Sequence, residues 1–461
     1  MAGLLTRKQS FDAGKKLRKK VPREAHGQFA QKLTRDAVAI LSEGDQQRVS
    51  ALIPERYRRM MASPFAFLRG AAAVMATDLA HHPIAGIPVQ ASGDCHLMNF
   101  GAFATPEDRI LFDVNDFDET LPGVDFTVDI KRLAASVAVA ALDSGASRKL
   151  ARLTAASTVA AYRRRINDLA KLTPLQAWHS RIDLEQEAVS LANKQLRRQL
   201  ASIISKARGK GLNTDDNFPR LVHGDDVRIF DNPPMVFHPG SEPHSGFNIE
   251  VHNLFRQYRT GLSPERRRLF DHYQLTDFAF KAVGVGSVGT ITCVGLFMSG
   301  DGEPLFLQIK EAQRSVLERL GSKLAYKGHQ GRRVVEGQRM MQAATDIFLG
   351  HTQDESSGRA FYVRMLKNRR LGTVTDIGEA AALQDYACLC GRTLARAHAR
   401  SGNPSMISGY LGRGEVFDDA LARFAMSYAD QNERDHAALV AAKGDSHLSG
   451  VPVRRAKAKK S

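Results

Sequence analysis

Gly93-Asp94-Cys95-His96-Leu97-Met98-Asn99 and, shortly after it, Asp113-Val114-Asn115-Asp116-Phe117-Asp118-Glu119 decide how this chain is read. The second segment places four carboxylates within seven residues, directly after the apolar run Ile110-Leu111-Phe112. Carboxylates packed this tightly repel one another, and bound cations relieve the repulsion most easily. Asp94 stands five residues before Asn99. An Asp, an Asn and an Asp-rich strand end are the parts of a phosphotransferase site. Asp94 would accept the proton of an acceptor hydroxyl, and Asn99 with a later Asp would hold Mg²⁺ or Mn²⁺ on the phosphates of ATP. His96 belongs to the same catalytic loop, where its part is to order the loop. The plain alternatives are a polar turn capping its own backbone and a surface acidic turn, both common uses of Asp and Asn. Asp113 and Asp116 sit within or just past an apolar strand, where unpaired charge is costly. Asp113, Asp116 and Asp118 are therefore all candidates for the metal.

A second constellation lies about 190 residues downstream. Val283-Gly284-Val285-Gly286-Ser287-Val288-Gly289-Thr290 joins two strand candidates, and Leu305-Phe306-Leu307-Gln308-Ile309-Lys310 follows. A lone glycine motif of this form is a weak signal, since glycines also mark turns and bulges. Because it joins strands and opens no helix, it reads as a phosphate-covering loop and not as a dinucleotide site. Lys310 is either a strand-end lysine that snorkels to solvent or the lysine on the α/β-phosphates. In the second case a helix glutamate fixes it, with Glu336 first and Glu318 behind.

At 461 residues and 43% hydrophobic content the chain has room for two or three cores. The net charge of +16 is concentrated partly at the ends, in Lys15-Lys16-Leu17-Arg18-Lys19-Lys20 and Arg454-Arg455-Ala456-Lys457-Ala458-Lys459-Lys460. Such runs are solvated tails by default. They would also suit nucleic acid, but one Trp and 7% aromatics offer little base-stacking surface. Four cysteines form no disulfide framework, which fits a cytoplasmic setting. Cys388 and Cys390 point to different faces of a predicted helix and make a poor metal pair. No apolar stretch reaches membrane-spanning length.

The periodicity predicts helices around 29–41, 46–52 and 65–79, then an extended approach to the Asp94 loop and two short strands at 99–104 and 109–114. Helices follow at 129–141, 148–172 and 184–206. Pro and Gly then accumulate over 208–248, the composition of a linker. Strands at 278–283, 291–298 and 305–309, a helix at 332–344 and strands at 346–349 and 360–366 come next, with a helix over 382–398 beyond them.

The Gly-Asp-x-His-x-x-Asn loop leading into an Asp-Phe strand end resembles the catalytic segment of the protein-kinase-like superfamily, especially aminoglycoside and choline phosphotransferases. The resemblance implies that Asp116 would be the main metal ligand, because Phe117 follows it. Strand, glycine loop, strand, strand with lysine, helix, strand, strand is the order of a kinase small lobe. In ordinary kinases, however, that lobe precedes the catalytic loop; here it follows. Gly391-Arg392-Thr393-Leu394-Ala395-Arg396-Ala397-His398 resembles the helix that directly precedes the loop in aminoglycoside phosphotransferases, as the 65–79 helix also could. Such a rearrangement is circular permutation, tolerable when termini lie close on a surface. The chain also resembles a bacterial family, domain of unknown function 2252, in Ser63-Pro64-Phe65-Ala66-Phe67-Leu68-Arg69-Gly70, the 93–101 loop, Asn115–Glu119, Arg333-Val334-Val335-Glu336-Gly337-Gln338, Tyr362-Val363-Arg364 and Tyr428-Ala429-Asp430-Gln431.

The resulting expectation is an α+β, two-lobed, circularly permuted kinase-like phosphotransferase using ATP and Mg²⁺ on an unidentified hydroxyl. A basic flexible arm would occupy 1–30 and the catalytic segment with large-lobe helices 31–260. The small nucleotide lobe would occupy 270–366, and helices returning to the large lobe 367–461. Nucleotidyl transfer, a metal-dependent phosphoester hydrolase built on Asp94, His96, Asp113 and Asp116, and a silent nucleotide-binding protein are the alternatives.

Overall fold

The computed structural model describes residues 4–29, 34–105, 109–190, 193–209, 219–222, 227–233, 236–238, 250–281, 288–366 and 380–443. Its architecture is mixed α+β, with long helices and small antiparallel sheets.

The helices gather around Thr127–Asp143, in which every residue from Thr127 to Ala141 is buried. A helix covered on all sides belongs at the centre of a core, and its many alanines let neighbours approach closely. Asp125 fixes its start: Oδ1 accepts from the Thr127 N–H at 3.0 Å, and Oδ2 from Gly86 and Ile87 at 2.7 and 2.9 Å. Helices Arg148–Leu169, Ala380–Ser401 and Val416–Lys443 pack around it and around one another. Gly391 marks a close approach, since a Cβ there would lie 2.5 Å from the Thr158 carbonyl oxygen. Segments from both sides of the sheet in sequence thus share one hydrophobic core.

Strands β1 (Pro88–Ala91), β2 (Phe100–Ala104), β3 (Ile110–Val114) and β4 (Leu121–Asp125) form two antiparallel pairs, β1 with β4 and β2 with β3. Two-residue strands β5 (Leu221–Val222) and β6 (Arg228–Ile229) pair with each other. The remaining strands are β7 (Val236–Phe237), β8 (Tyr273–Lys281), β9 (Thr292–Ser299), β10 (Pro304–Glu311), β11 (Gly350–Gln353) and β12 (Ala360–Met365). They make one antiparallel sheet in the order β11-β12-β10-β9-β8-β7.

Alternation along β10 and β12 gives this sheet two unlike faces. Leu307, Ile309, Phe361 and Val363 join the core formed with Leu254, Phe255 and Tyr258. Gln308, Lys310, Tyr362 and Arg364 take the other side, with Gln308 opposite Arg364 and Lys310 opposite Tyr362. That polar side meets the 93–119 segment.

Several sequence expectations change. Helix Val251–Thr260 packs on the sheet, with the Tyr258 hydroxyl donating to Phe348 O at 2.5 Å, so residues before 270 belong to the sheet's core. The single helix at 65–79 is two, Pro64–Gly70 and Ala72–Leu79, broken at Ala71, where φ −110° and ψ 34° leave the helical region. Gly70 at the break is a poor helix former. Residues 346–349 form a turn and not a strand: Asp346 accepts from the Phe348 N–H at 2.8 Å and the Met365 N–H at 2.5 Å, and β11 begins only at Gly350. Arg7–Leu17, expected within a flexible arm, is a helix with a Thr6–Gln9 capping box, lying against Pro404–Leu411. Arg18 and Arg23 donate to carbonyls at the end of that second helix. Among the described residues no helix is long and apolar enough to cross a membrane.

Candidate functional site

The loop after β1 is held from beneath by two helices. Asp129, in the first turn of Thr127–Asp143, accepts from the N–H groups of Ser92 at 2.7 Å and Gly93 at 3.0 Å. His398, from helix Ala380–Ser401, places Nε2 3.2 Å from the same carboxylate and Nδ1 2.8 Å from the Tyr162 hydroxyl. Gly93 has φ +91°, and a Cβ would meet the Glu119 carbonyl oxygen at 2.4 Å. Only glycine satisfies both conditions, and the result is that the loop lies directly against the acidic turn.

Within the loop, the Asn99 amide donates to Asp94 O at 2.6 Å. His96 Nδ1 accepts from the Met98 N–H at 3.1 Å, which caps the short turn Leu97–Asn99, and Nε2 lies 3.6 Å from Asp94 Oδ2. Arg132, one helical turn after Asp129, donates to Asp94 Oδ1 from Nε at 3.0 Å and Nη2 at 2.6 Å. Burial pushes the Asp94 carboxyl up and Arg132 pulls it down; the net position is above the ordinary aspartate range.

The acidic run divides. Asp113, on β3, is 1% exposed and turned into the helical lobe. It pairs with Arg396, itself fully buried, and accepts from the N–H groups of Val114 and Ala343, each at 2.9 Å. Burial pushes Asp113 up and Arg396 down. Asp116, Asp118 and Glu119 lie past the strand end and line a cavity. Asp116 Oδ1 accepts from the Asp118 N–H at 3.1 Å.

Asp118 pairs with Lys310 of β10 and accepts from the Tyr362 hydroxyl at 2.7 Å. The register explains the convergence: Lys310 and Tyr362 are direct cross-strand partners, so both side chains stand on the same face. Burial pushes Asp118 up, but Lys310 and the Tyr362 hydroxyl outweigh it and hold the carboxyl below its ordinary range. Glu119 accepts from the Val316 N–H at 2.7 Å, yet burial pushes its carboxyl up to about 7.

Glu336, expected beside Lys310, stands on the exposed side of helix Gln330–Met341 and pairs with Arg332 at 2.7 Å. Glu318 lines the cavity but is bound to Arg314 at 2.5 Å. The buried charged residue of that helix is Arg333, which donates to the carbonyls of Asp118, Thr120 and Gln313 and so fixes the acidic turn. Of the glycine loop, Gly284 and Gly286 lie outside the described residues. Gly289 sits against the N-terminal helical segment, its carbonyl accepting from the Val49 N–H at 2.8 Å.

These parts surround one cavity of about 420 Å³. Asp94, His96, Asn99, Asp116, Asp118 and Glu119 line it from the 93–119 segment, and residues between Thr290 and Arg319 from the sheet side. Among the described residues no group of three or more His, Cys, Asp and Glu side chains is arranged so as to hold a metal ion. Asn99, Asp116 and Asp118 nonetheless put hard oxygen donors on the wall, the type that Mg²⁺ and Mn²⁺ take together with water and phosphate oxygens. Sequence reasoning found Asp94, His96, Asn99, Asp116, Asp118 and Lys310, which the fold brings to one place. It assigned no role to Arg132, Arg333 or Tyr362, whose partners lie far away in the chain.

Fold and site together define an α+β protein in which a helical core and an antiparallel sheet meet at a cavity lined by carboxylates and arginines. The chain belongs to a family described as an uncharacterised protein conserved in bacteria, domain of unknown function 2252, whose family model matches residues 48–442. Searches of curated proteins and of solved structures each returned no match.

Proposed function

We propose that this protein transfers a phosphoryl group from ATP, with Mg²⁺ or Mn²⁺, to a hydroxyl acceptor, on a kinase-like fold with permuted lobe order. The observation that carries the reading is the pair Lys310–Asp118. Residues 192 apart in sequence meet beside the cavity that Asp94, Asn99 and Asp116 also line. A strand lysine next to the acidic turn suits contact with nucleotide phosphates, and Asp118 holds it where kinases use a helix glutamate. The chain order of β8, the glycine loop, β9, β10 with Lys310, helix Gln330–Met341, β11 and β12 supports the same reading.

Each residue then has a task. Asp94, oriented by Arg132 and by the Asn99 amide, accepts the acceptor's proton. Asn99, Asp116 and Asp118 would hold the metal, whose charge neutralises the phosphates when it is bound. Lys310 exchanges Asp118 for phosphate oxygens, and the sheet closes the cavity from water. The hydrolase alternative loses a member, because Asp113 is spent on Arg396 inside the helical core.

Calorimetric titration of ATP into the full chain tests this. Binding should need Mg²⁺ or Mn²⁺, be lost in Lys310→Ala and in Asp116→Ala, and be weakened in Asp118→Ala. ATP binding that is equally tight in excess chelator, or unchanged in Lys310→Ala, would sink the proposal. Mass analysis of the product separates phosphoryl from nucleotidyl transfer.

A further inference from the structure

The cavity carries a second set of charges that nucleotide chemistry does not account for. The N-terminal helical segment brings Arg48, Arg56 and Arg69 to its lining. Arg48 and Arg56 share a single carboxylate, Asp45, at 4.0 and 2.7 Å, and Asp45 also accepts from the Tyr57 hydroxyl at 2.5 Å. The side chains of Arg56 and Arg48 are only 3% and 12% exposed, and neither Nε has a hydrogen-bond partner among the described residues. Burial, and then Arg56, pull Arg48 down to about 10. The rim arginines differ: Arg314 is matched by Glu318 and Arg319 by Glu43, at 2.5 and 2.7 Å.

Two buried guanidinium groups that hold one contacting carboxylate between them keep donor positions for a further anion, and their fork geometry suits phosphate and carboxylate. The cluster also has a direction. Arg48 donates to Val288 O at 2.5 Å, at the end of the glycine loop, whereas Arg69 lies close enough to Asp94 to pull its carboxyl down. Arg56 stands between these ends, beside Gly70, whose carbonyl it approaches at 3.5 Å.

We propose that the hydroxyl acceptor is itself a small anion, a phosphate- or carboxylate-bearing hydroxy compound, whose charged group rests on Arg56 and Arg69 while its hydroxyl reaches Asp94. This rests on the phosphotransferase reading. In the step, the bond between the γ-phosphorus and the bridging oxygen of ATP breaks and a bond from the acceptor oxygen forms. The hydroxyl proton goes to Asp94, and ADP and the phosphorylated anion leave.

The test titrates glycerol 3-phosphate, glycerate and glycerol into the full chain saturated with Mg²⁺ and a non-hydrolysable ATP analogue, so that the nucleotide's own phosphate sites are filled. At least one anion should bind and glycerol should not, and which anion binds names the charged group. Arg56→Met and Arg69→Met should each weaken that anion by about 10–100-fold, while the affinity for the nucleotide analogue stays within about threefold; Arg56→Lys should retain part of the anion binding. Thermal melts of each variant separate loss of fold from loss of site, and the wild-type titrations stand without any variant. Equal behaviour of anions and glycerol overturns the inference. So does a loss of nucleotide affinity in Arg56→Met and Arg69→Met that matches the loss of anion, because the arginines would then serve ATP. Anion binding that depends on the arginines in a protein that binds no nucleotide overturns the phosphotransferase reading, and the acceptor role with it, by a different signature.

Discussion

Asp113 and Asp118 belong to one acidic run and end in opposite surroundings. Asp113 lies one residue before the end of a buried strand, and the helical core consumes its charge through Arg396. Asp118 lies in the turn beyond, where Lys310 and Tyr362 reach it from another part of the chain. The first carboxylate ties the β2–β3 hairpin to helix Ala380–Ser401, and the second faces a cavity. Charge density in a sequence shows that something must compensate it. Which compensation is structural and which can be exchanged for a ligand depends on burial and on the mobility of the partner.

Four experiments sharpen or break that contrast. The largest effect is expected at Asp94, the proposed base: Asp94→Asn should lower turnover by roughly 10²–10⁴-fold and keep nucleotide affinity. Because the carboxylate must be ionised to act, and burial holds its pKa above the ordinary range, wild-type turnover should fall as pH drops through that raised value. Wild-type-like turnover in Asp94→Asn removes it from the mechanism.

Next comes the structural end of the run. Arg396→Met strands a buried Asp113 carboxylate and should cost about 3–5 kcal/mol in denaturant unfolding, with much of the loss recovered in the double variant Asp113→Asn/Arg396→Met. A loss below about 1 kcal/mol would place this pair among ordinary surface ion pairs and dissolve the contrast.

Tyr362→Phe removes one hydrogen bond to Asp118 and leaves Lys310 in place. Loss of that bond should change Mg²⁺-nucleotide affinity by about 5–30-fold, equivalent to roughly 1–2 kcal/mol, with unfolding little affected. A large fall in stability with unchanged affinity would make Asp118 a second structural carboxylate.

The smallest effect concerns Glu119. Its carboxyl is raised from 4.5 to about 7 by burial, so across that window the folded protein holds a proton that the unfolded chain has lost. Stability therefore falls as pH rises from about 4.5 to 7, and above that the full penalty applies. Glu119→Gln keeps an acceptor for the Val316 N–H and should flatten this slope. Identical slopes for the two proteins would show that Glu119 does not set this dependence.

Much of the architecture was legible because it is local. The strand alternation of 292–311 and the helical stripe after Asp129 carry their own periodicity, and the spacing of Asp94 to Asn99 needs no distant partner. The errors are also local, but of another kind: side-chain hydrogen bonds at Asp346 turned an apolar run into a turn, and the backbone break at Ala71 divided an apparently continuous helix. The site was legible as a list of residues and not as a set of pairs. Glu336 follows the expected spacing from Lys310, yet it occupies the solvent side of its helix, and Arg333 takes the buried side instead.

The sequence by itself determined that an acidic run, a Gly-Asp loop and a strand lysine exist, because residue type and short-range period carry that information. Tertiary structure alone decided that Asp113 belongs to the core, that Lys310 pairs with Asp118, and that Arg48, Arg56 and Arg69 share the cavity with Asp94. The physical reason is that a charge's role is set by its dielectric surroundings and by its nearest opposite charge. In this chain that partner comes from 192 residues away for Asp118 and from 283 for Asp113.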